Sequence, residues 1–143
     1  MKPDPVAPLR EALRVSPDNV PLRLLVARTL LDAGRPREAL AEAEEALLRA
    51  PHDGGAREVA GAAAWAMGDA LGAWERWWPV RARLDGPGLR ELARAALRAG
   101  RRDEAREAYD AALAHDPSLR DLELDRGVRL AVVSAGSSPS KNA

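Results

Sequence analysis

Few side chains in this sequence have the type and spacing that catalytic chemistry requires. The two histidines, His52 and His115, each fall at the end of a helical stretch, which favours a polar turn or helix-end role over catalysis. The acidic pairs at 44–45 and 103–104 fall on helix faces that we predict to be exposed. The chain has no cysteine, no metal-ligand spacing and no glycine-rich phosphate loop after a strand. We therefore predict a protein that is not an enzyme and that uses no cofactor.

The overall charge balance argues against a protein that coats nucleic acid. Lys and Arg together number 22, and so do Asp and Glu, so the formal net charge is zero. Nucleic-acid-binding proteins usually carry a basic excess, although a local basic face stays possible here. The N-terminal sequence MKPDPVAPLREAL has no apolar signal core, and no apolar run approaches the length of a membrane span. These features predict a cytoplasmic protein without a membrane segment.

The remaining chemistry depends on the elements that position the arginine, leucine and tryptophan side chains. The apolar spacing in residues 20–53 predicts two short amphipathic helices, which Gly34 separates and Pro51 closes. The same unit recurs twice, because Gly34 is matched by Gly68 and Gly100 after steps of 34 and 32 residues. An internal period of this length indicates an array of stacked helix pairs.

These units resemble the tetratricopeptide repeat, whose pattern is W-x2-L-G-x2-Y in the first helix (helix A), A-x3-F in the second (helix B), and then a proline. The family's helix A aromatics are absent, but the small residues at the helix crossing are kept. The matching positions hold Arg23, Val26, Ala27, Leu30, Ala39, Ala43 and Pro51; then Arg57, Ala60, Gly61, Ala64, Ala73, Trp77 and Asp85; then Leu89, Leu92, Ala93, Ala96, Ala105, Tyr109 and Pro117. The alternative is an ordinary alanine-rich helical bundle.

The resemblance implies an all-α fold, an α-solenoid of three helix-turn-helix repeats with N- and C-terminal capping helices. We expect one domain over residues 1–133. Its parts are a cap helix at 5–16, repeats at 20–53, 54–85 and 86–119, and a C-terminal cap helix at 118–133. The polar segment 134–143 (SAGSSPSKNA) is expected to be a disordered tail or linker.

The fifth helix differs from the others because it concentrates aromatic residues. Trp74, Trp77 and Trp78 lie three and four residues apart, which places their rings on one stripe. Trp74 and Trp77 are expected to fill space left by the small residues of the fourth helix, whereas Trp74 and Trp78 together form a possible second interface through which copies could assemble. Pro79 predicts a kink or break, because proline removes a helical hydrogen bond and clashes with the preceding turn.

Repeat arrays of this family curl so that their A helices line a concave surface. By repeat phase, the partner groove would be lined by arginines, leucines, one tryptophan and one glutamate. Arginine pairs with carboxylates in a fork, and Trp or Leu gives apolar anchorage. The residues are Leu24, Arg28, Leu31, Glu58, Trp65, Arg90, Arg94, Leu97, Arg98 and Leu124. The alternative is that these arginines form a solvated helix face.

The sequence thus predicts a non-enzymatic scaffold or adaptor that binds a protein or peptide with acidic and apolar residues in its groove. A second interpretation is a self-assembling or regulatory module, because residues 12–40 and 107–124 also resemble the amino-terminal repeat region of some bacterial AAA-type ATPases. Nucleic-acid binding is a less favoured third interpretation, since it rests only on the arginines.

Overall fold

Helices make up most of the part of the chain that the structure describes. The computed structural model describes the backbone of residues 2–137 and the side chains of residues 2–129. Within them there is no strand, so the all-α prediction is confirmed. The helices are α1 (Ala7–Val15), α2 (Val20–Asp32), α3 (Pro36–Arg49), α4 (Gly54–Ala66), α5 (Ala70–Trp77), α6 (Gly86–Arg98), α7 (Arg102–His115) and α8 (Leu122–Ser137), with 3₁₀ helices at Trp78–Arg83 and Pro117–Leu119.

Each helix pair turns at a glycine with a left-handed backbone. Gly34, Gly68 and Gly100 have φ angles of 76°, 82° and 80°, a region that side chains with a Cβ rarely occupy. These three glycines end α2, α4 and α6, as the sequence predicts. The helix pairs α2–α3, α4–α5 and α6–α7 therefore fall within the three predicted repeats.

An acidic or amide side chain caps the start of every helix A. The side-chain oxygens of Asn19, Asp53, Asp85 and Asp121 accept hydrogen bonds of 2.8–3.0 Å from the backbone N–H three residues later. Such a cap contributes about 1 kcal/mol by satisfying an N–H group that has no partner within the helix. The caps therefore fix where each helix A begins.

The predicted single domain, residues 1–133, divides into two compact units, Met1–Val80 and Arg81–Ala143. In the first unit, helices α1 to α4 bury a common apolar cluster, to which Leu13 of α1 and the preceding capping residue, Val6, contribute. Burying a Val or Leu side chain contributes roughly 1.5–3 kcal/mol, so α1 is fastened to α2 mainly by these two residues. The predicted cap helix is thus present, although its helical span is Ala7–Val15 rather than 5–16.

Small residues allow the helices of the first unit to cross closely. Ala27 of α2, Ala43 of α3 and Ala60 of α4 are fully buried in one cluster with Val59. Arg23, which stands where the family pattern has tryptophan, is also buried. Its guanidinium donates to the Glu42 carboxylate at 2.7 Å and to the Pro17 carbonyl at 2.8 Å.

The predicted break at Pro79 is confirmed. Helix α5 ends at Trp77, and the chain continues as a 3₁₀ helix in which Val80 leaves helical geometry, with φ −113° and ψ 18°. Proline at 79 has no N–H to donate to the carbonyl four residues earlier, so the α-helical ladder cannot continue through it.

The last helix begins and ends later than the predicted cap helix 118–133. Residues Pro117–Leu119 form a 3₁₀ turn, Arg120 is extended at φ −52° and ψ 138°, and α8 then runs over Leu122–Ser137. The extended Arg120 interrupts the helix, and Asp121 caps the new one. Residues 134–137, which were assigned to a disordered tail, belong to this helix, while 138–143 lie outside the described residues.

Candidate functional site

The candidate groove residues of the first unit lie on the packed pair α2 and α4, and most of them reach the surface. Arg28 is exposed, and Leu31, Glu58 and Trp65 are half-buried. Leu24 is not available to a partner: it is 6% exposed and packs against Ala46 and Ala56, so its assignment to the groove was wrong. The reason is that the Leu24 side chain lies inside the contact between α2 and α4 and not on the surface of this helix pair.

The position of Arg28 depends on a glycine in α4. A Cβ added to Gly55 would lie 3.2 Å from the Arg28 Nη2 atom, so the bare glycine lets the guanidinium lie against the first turn of α4. Arg28 makes no ion pair with any side chain of residues 2–129. A carboxylate from a partner could therefore bind it without displacing an internal one.

In the second unit, Arg94 is committed to the fold. Its Nε donates to the Asp121 carboxylate at 2.9 Å, and the same guanidinium also binds the Glu91 carboxylate. Burial alone would raise the pKa of Asp121, but the Leu124 amide and the Arg94 guanidinium outweigh it, so this pKa lies below its ordinary value. Arg94 thus fastens the start of α8, and a partner carboxylate would compete with Asp121 and Glu91 for it. Its assignment to the groove stays a prediction.

Two other candidates of the second unit also contact α8. Leu97 packs against Gly127 so closely that a Cβ there would lie 2.3 Å from its Cδ2 atom. Arg98 lies 3.8 Å from the Glu123 carboxylate, with both side chains mostly exposed. Of the α6 candidates, Arg90 is half-buried, and its buried Nε has no hydrogen-bond partner in the described part of the chain. The α6 face therefore serves mainly to seat α8.

Leu124 is fully buried, so its assignment to the groove was also wrong. The cause is a shift of register. Counted from the capping residue, Leu124 is the third residue of its helix A, the same place as the buried Ala56 of α4. The 3₁₀ turn at Pro117–Leu119 and the extended Arg120 delay the last helix. The cap at Asp121, equivalent to Asn19, Asp53 and Asp85, is the sequence signal that gives the correct phase.

The tryptophans divide between core and surface. Trp77 is buried against Gly61, and its Nε1 donates to the Glu58 carbonyl at 3.0 Å. This confirms that Trp77 fills space left by the small fourth helix. Trp74 and Trp78 are half-buried and contact each other, with ring centroids 6.5 Å apart and planes tilted by 30°. The second-interface residues therefore do form one aromatic patch.

The structure also exposes an apolar residue that the sequence pattern places in the core. Leu25 of α2 has helical apolar spacing but is 47% exposed.

Among the described residues, no group of three His, Cys, Asp or Glu side chains could hold a metal ion. Within the same residues, no helix has the length and apolarity that crossing a membrane requires.

Helix pairs that turn at left-handed glycines, with small residues at their crossings, define a helical-repeat protein. Sequence-family models agree: the model described as "Tetratricopeptide repeat" matches residues 7–70, and a second with the same description matches 87–119. Together these stretches cover more than half of the chain, which belongs to the tetratricopeptide repeat family. The repeats of this family are non-catalytic protein-interaction modules. No curated protein sequence matches the chain significantly.

Solved structures show the same fold. The chain is similar to the "Crystal structure of MamA protein", with a TM-score of 0.73 and 20% sequence identity over 92% of this chain and 72% of that one. A second MamA crystal structure gives a TM-score of 0.74 at 20% identity, covering 92% of this chain and 77% of the other. At this identity the similarity establishes the helical-repeat architecture.

Proposed function

We propose that this protein is an interaction scaffold that binds a partner segment along the A helices of its first two repeats, α2 and α4. The observation that carries the proposal is that Arg28 is exposed and makes no ion pair with a side chain of residues 2–129, on the same helix pair as the half-buried Leu31 and Trp65. The corresponding residues of α6 are largely committed to α8, so the first unit offers the better binding surface.

The chemistry of this surface defines the partner. The Arg28 guanidinium can bind a carboxylate through two parallel hydrogen bonds, and Trp65 and Leu31 offer apolar area. Glu58 lies on the same helix pair and disfavours a purely acidic segment. The expected partner is therefore a protein or peptide segment that alternates acidic with apolar residues.

Affinity capture from a lysate of the source organism tests this proposal. The bait proteins would be the wild type, Arg28→Glu, Trp65→Ala and the matched control Arg37→Glu, which reverses an exposed arginine of α3. A partner that is retained by the wild type and the control, and lost by both other variants, supports binding on α2 and α4. Equal capture by all four baits would contradict it. Circular dichroism checks that each bait is folded.

Three other interpretations stay predictions. The aromatic patch of Trp74 and Trp78 supports assembly of copies through α5, because a contiguous exposed apolar patch often marks an interface. The regulatory module of an AAA-type ATPase system rests on the sequence resemblance, and nucleic-acid binding rests on the arginines. Retention of RNA or DNA at low salt, falling steeply as salt rises, would favour the last. The cytoplasmic location is likewise a prediction from the sequence.

A further inference from the structure

Helix α5 presents apolar residues at outward positions where the helices B of the neighbouring repeats carry charges. Leu71 of α5 is 49% exposed, and Trp78, which directly follows α5, is half-buried. One repeat earlier and one repeat later, the same two places hold exposed charged residues: Arg37 and Glu44 in α3, and Asp103 and Asp110 in α7. The apolar character is therefore a property of α5 and not of the helix B pattern.

Four side chains of this segment form one surface. Trp74, Glu75 and Trp78 follow Leu71 by three, four and seven residues, so all four lie on the same side of the helix. Trp78 keeps helical backbone angles, φ −55° and ψ −47°, and its ring centroid lies 6.5 Å from that of Trp74. We call these four residues the α5 face.

Glu75 places a negative charge among the apolar side chains of the α5 face. It is exposed and makes no ion pair with a side chain of residues 2–129. The adjacent basic residue, Arg76, is directed elsewhere, because its guanidinium lies 3.6 Å from the Glu44 carboxylate and donates to the Gly72 carbonyl at 3.1 Å. The charge of Glu75 is therefore available to a cation from outside.

Arginine is the side chain that matches this combination of groups. A guanidinium can stack on the face of a tryptophan ring and can also pair with a carboxylate. We propose that the α5 face binds a protein segment that combines arginine with apolar residues. Glu75 pairs with the arginine, while Leu71 and the two tryptophans offer apolar area. This partner is opposite in charge to the one expected on α2 and α4, so the two surfaces bind different segments.

The same carboxylate disfavours other occupants of the α5 face. A two-fold contact centred on this face brings residues near the axis against their own copies. The Glu75 carboxylates of two copies would then approach each other, and like charges in an interface are unfavourable. Nucleic acid and anionic lipid surfaces are disfavoured for the same reason, because both present negative charge.

Selection of random peptides displayed on phage tests the proposal, with the purified 143-residue chain as the target. Clones that bind the wild type are retested on Trp78→Ala and on Leu71→Ser. Those that lose binding to both variants are expected to share arginine next to apolar residues. Circular dichroism checks that each variant is folded, and the exposed position of Leu71 keeps the test available if Trp78→Ala does not fold.

Synthetic peptides with the selected sequences measure the contribution of Glu75. A face of four side chains is smaller than a standard stable interface, so the peptides are titrated to about 1 mM and binding is followed by tryptophan emission. Glu75→Gln should weaken binding about tenfold, because the hydrogen bonds to the guanidinium lose their charge. The matched control is Asp110→Asn, an equivalent change at an exposed position of α7, which should leave binding unchanged.

Several results would overturn the proposal. The selection may yield no clone that depends on Trp78 and Leu71, or the dependent clones may be acidic or lack arginine. Equal affinity of the peptides for Glu75→Gln and the wild type also contradicts it. A dimer in sedimentation velocity that Trp78→Ala dissociates would assign the α5 face to a second copy. Arg28→Glu should leave the selected clones bound, so failure of binding on α2 and α4 is a separate outcome.

Discussion

The close contact between Gly61 and Trp77 predicts a large effect from adding one methyl group. In Gly61→Ala, the new Cβ would lie 2.4 Å from the Cδ1 and Nε1 atoms of Trp77 and 2.8 Å from its Cε2 atom. Because Trp77 is 6% exposed, its ring cannot swing freely into solvent. Moving it also stretches the 3.0 Å hydrogen bond from its Nε1 to the Glu58 carbonyl.

The expected destabilisation is the balance of three effects. Overpacking a core costs about 1–3 kcal/mol, and weakening a hydrogen bond costs about 1 kcal/mol more. Replacing glycine by alanine within a helix returns about 1 kcal/mol through helix propensity. The free energy of unfolding should therefore fall by about 1–3 kcal/mol, although alanine is the better helix former.

Urea unfolding followed by circular dichroism measures this change. The control is the double variant Gly61→Ala/Trp77→Ala, which reproduces the alanines found at the matching places of the first repeat, Ala27 and Ala43. In this double variant the methyl group meets no ring. The losses in the free energy of unfolding measured for Gly61→Ala alone and for Trp77→Ala alone should therefore sum to at least about 1 kcal/mol more than the loss measured for the double variant. A Gly61→Ala protein more stable than the wild type, or additive losses, would refute the reasoning.

Three further predictions concern the ion pairs that fasten the terminal helices. Hydrogen bonds from Arg35, and then from Arg10, lower the pKa of Glu38 from 4.5 to about 2. The stabilisation that the Glu38 carboxylate provides is therefore present above about pH 4.5 and disappears as the pH falls through about 2. The difference in urea midpoint between the wild type and Glu38→Gln should shrink over this window, and a difference that does not change with pH would contradict the assignment. Asp121→Asn keeps the helix cap but loses the Arg94 ion pair, which should cost about 1–3 kcal/mol and speed hydrogen exchange at the start of α8. Arg98→Gln, at a mostly exposed 3.8 Å pair, should change stability by less than about 0.5 kcal/mol.

The turns and the helix break of this fold are determined by residues that are close together in the sequence. Gly34, Gly68 and Gly100 mark the turns because only glycine readily adopts their backbone conformation, and Pro79 breaks α5 through its own missing N–H. Such features depend on neighbouring residues, so they can be predicted from the sequence.

The groove was harder to predict because its residues are set by distant partners. Arg94 has the spacing of a groove arginine, but its carboxylate partner Asp121 lies 27 residues later. Leu124 was misplaced because the step from Pro51 to Pro117 predicts a different phase for the last helix from the one that its cap, Asp121, sets. The exposed Leu25 has an ordinary core spacing, and only the arrangement of α1 beside α2 shows that nothing among the described residues covers it.

The distribution of aromatic residues makes the two compact units optically distinct. All four tryptophans lie between Trp65 and Trp78, within the unit Met1–Val80, and the chain has no phenylalanine. The single tyrosine, Tyr109, belongs to the other unit, where its hydroxyl donates to the Asp125 carboxylate at 2.7 Å. Tryptophan emission therefore reports the unfolding of one unit alone, whereas far-ultraviolet dichroism reports the helices of both. Any separation between the two denaturation curves measures how far the units unfold independently.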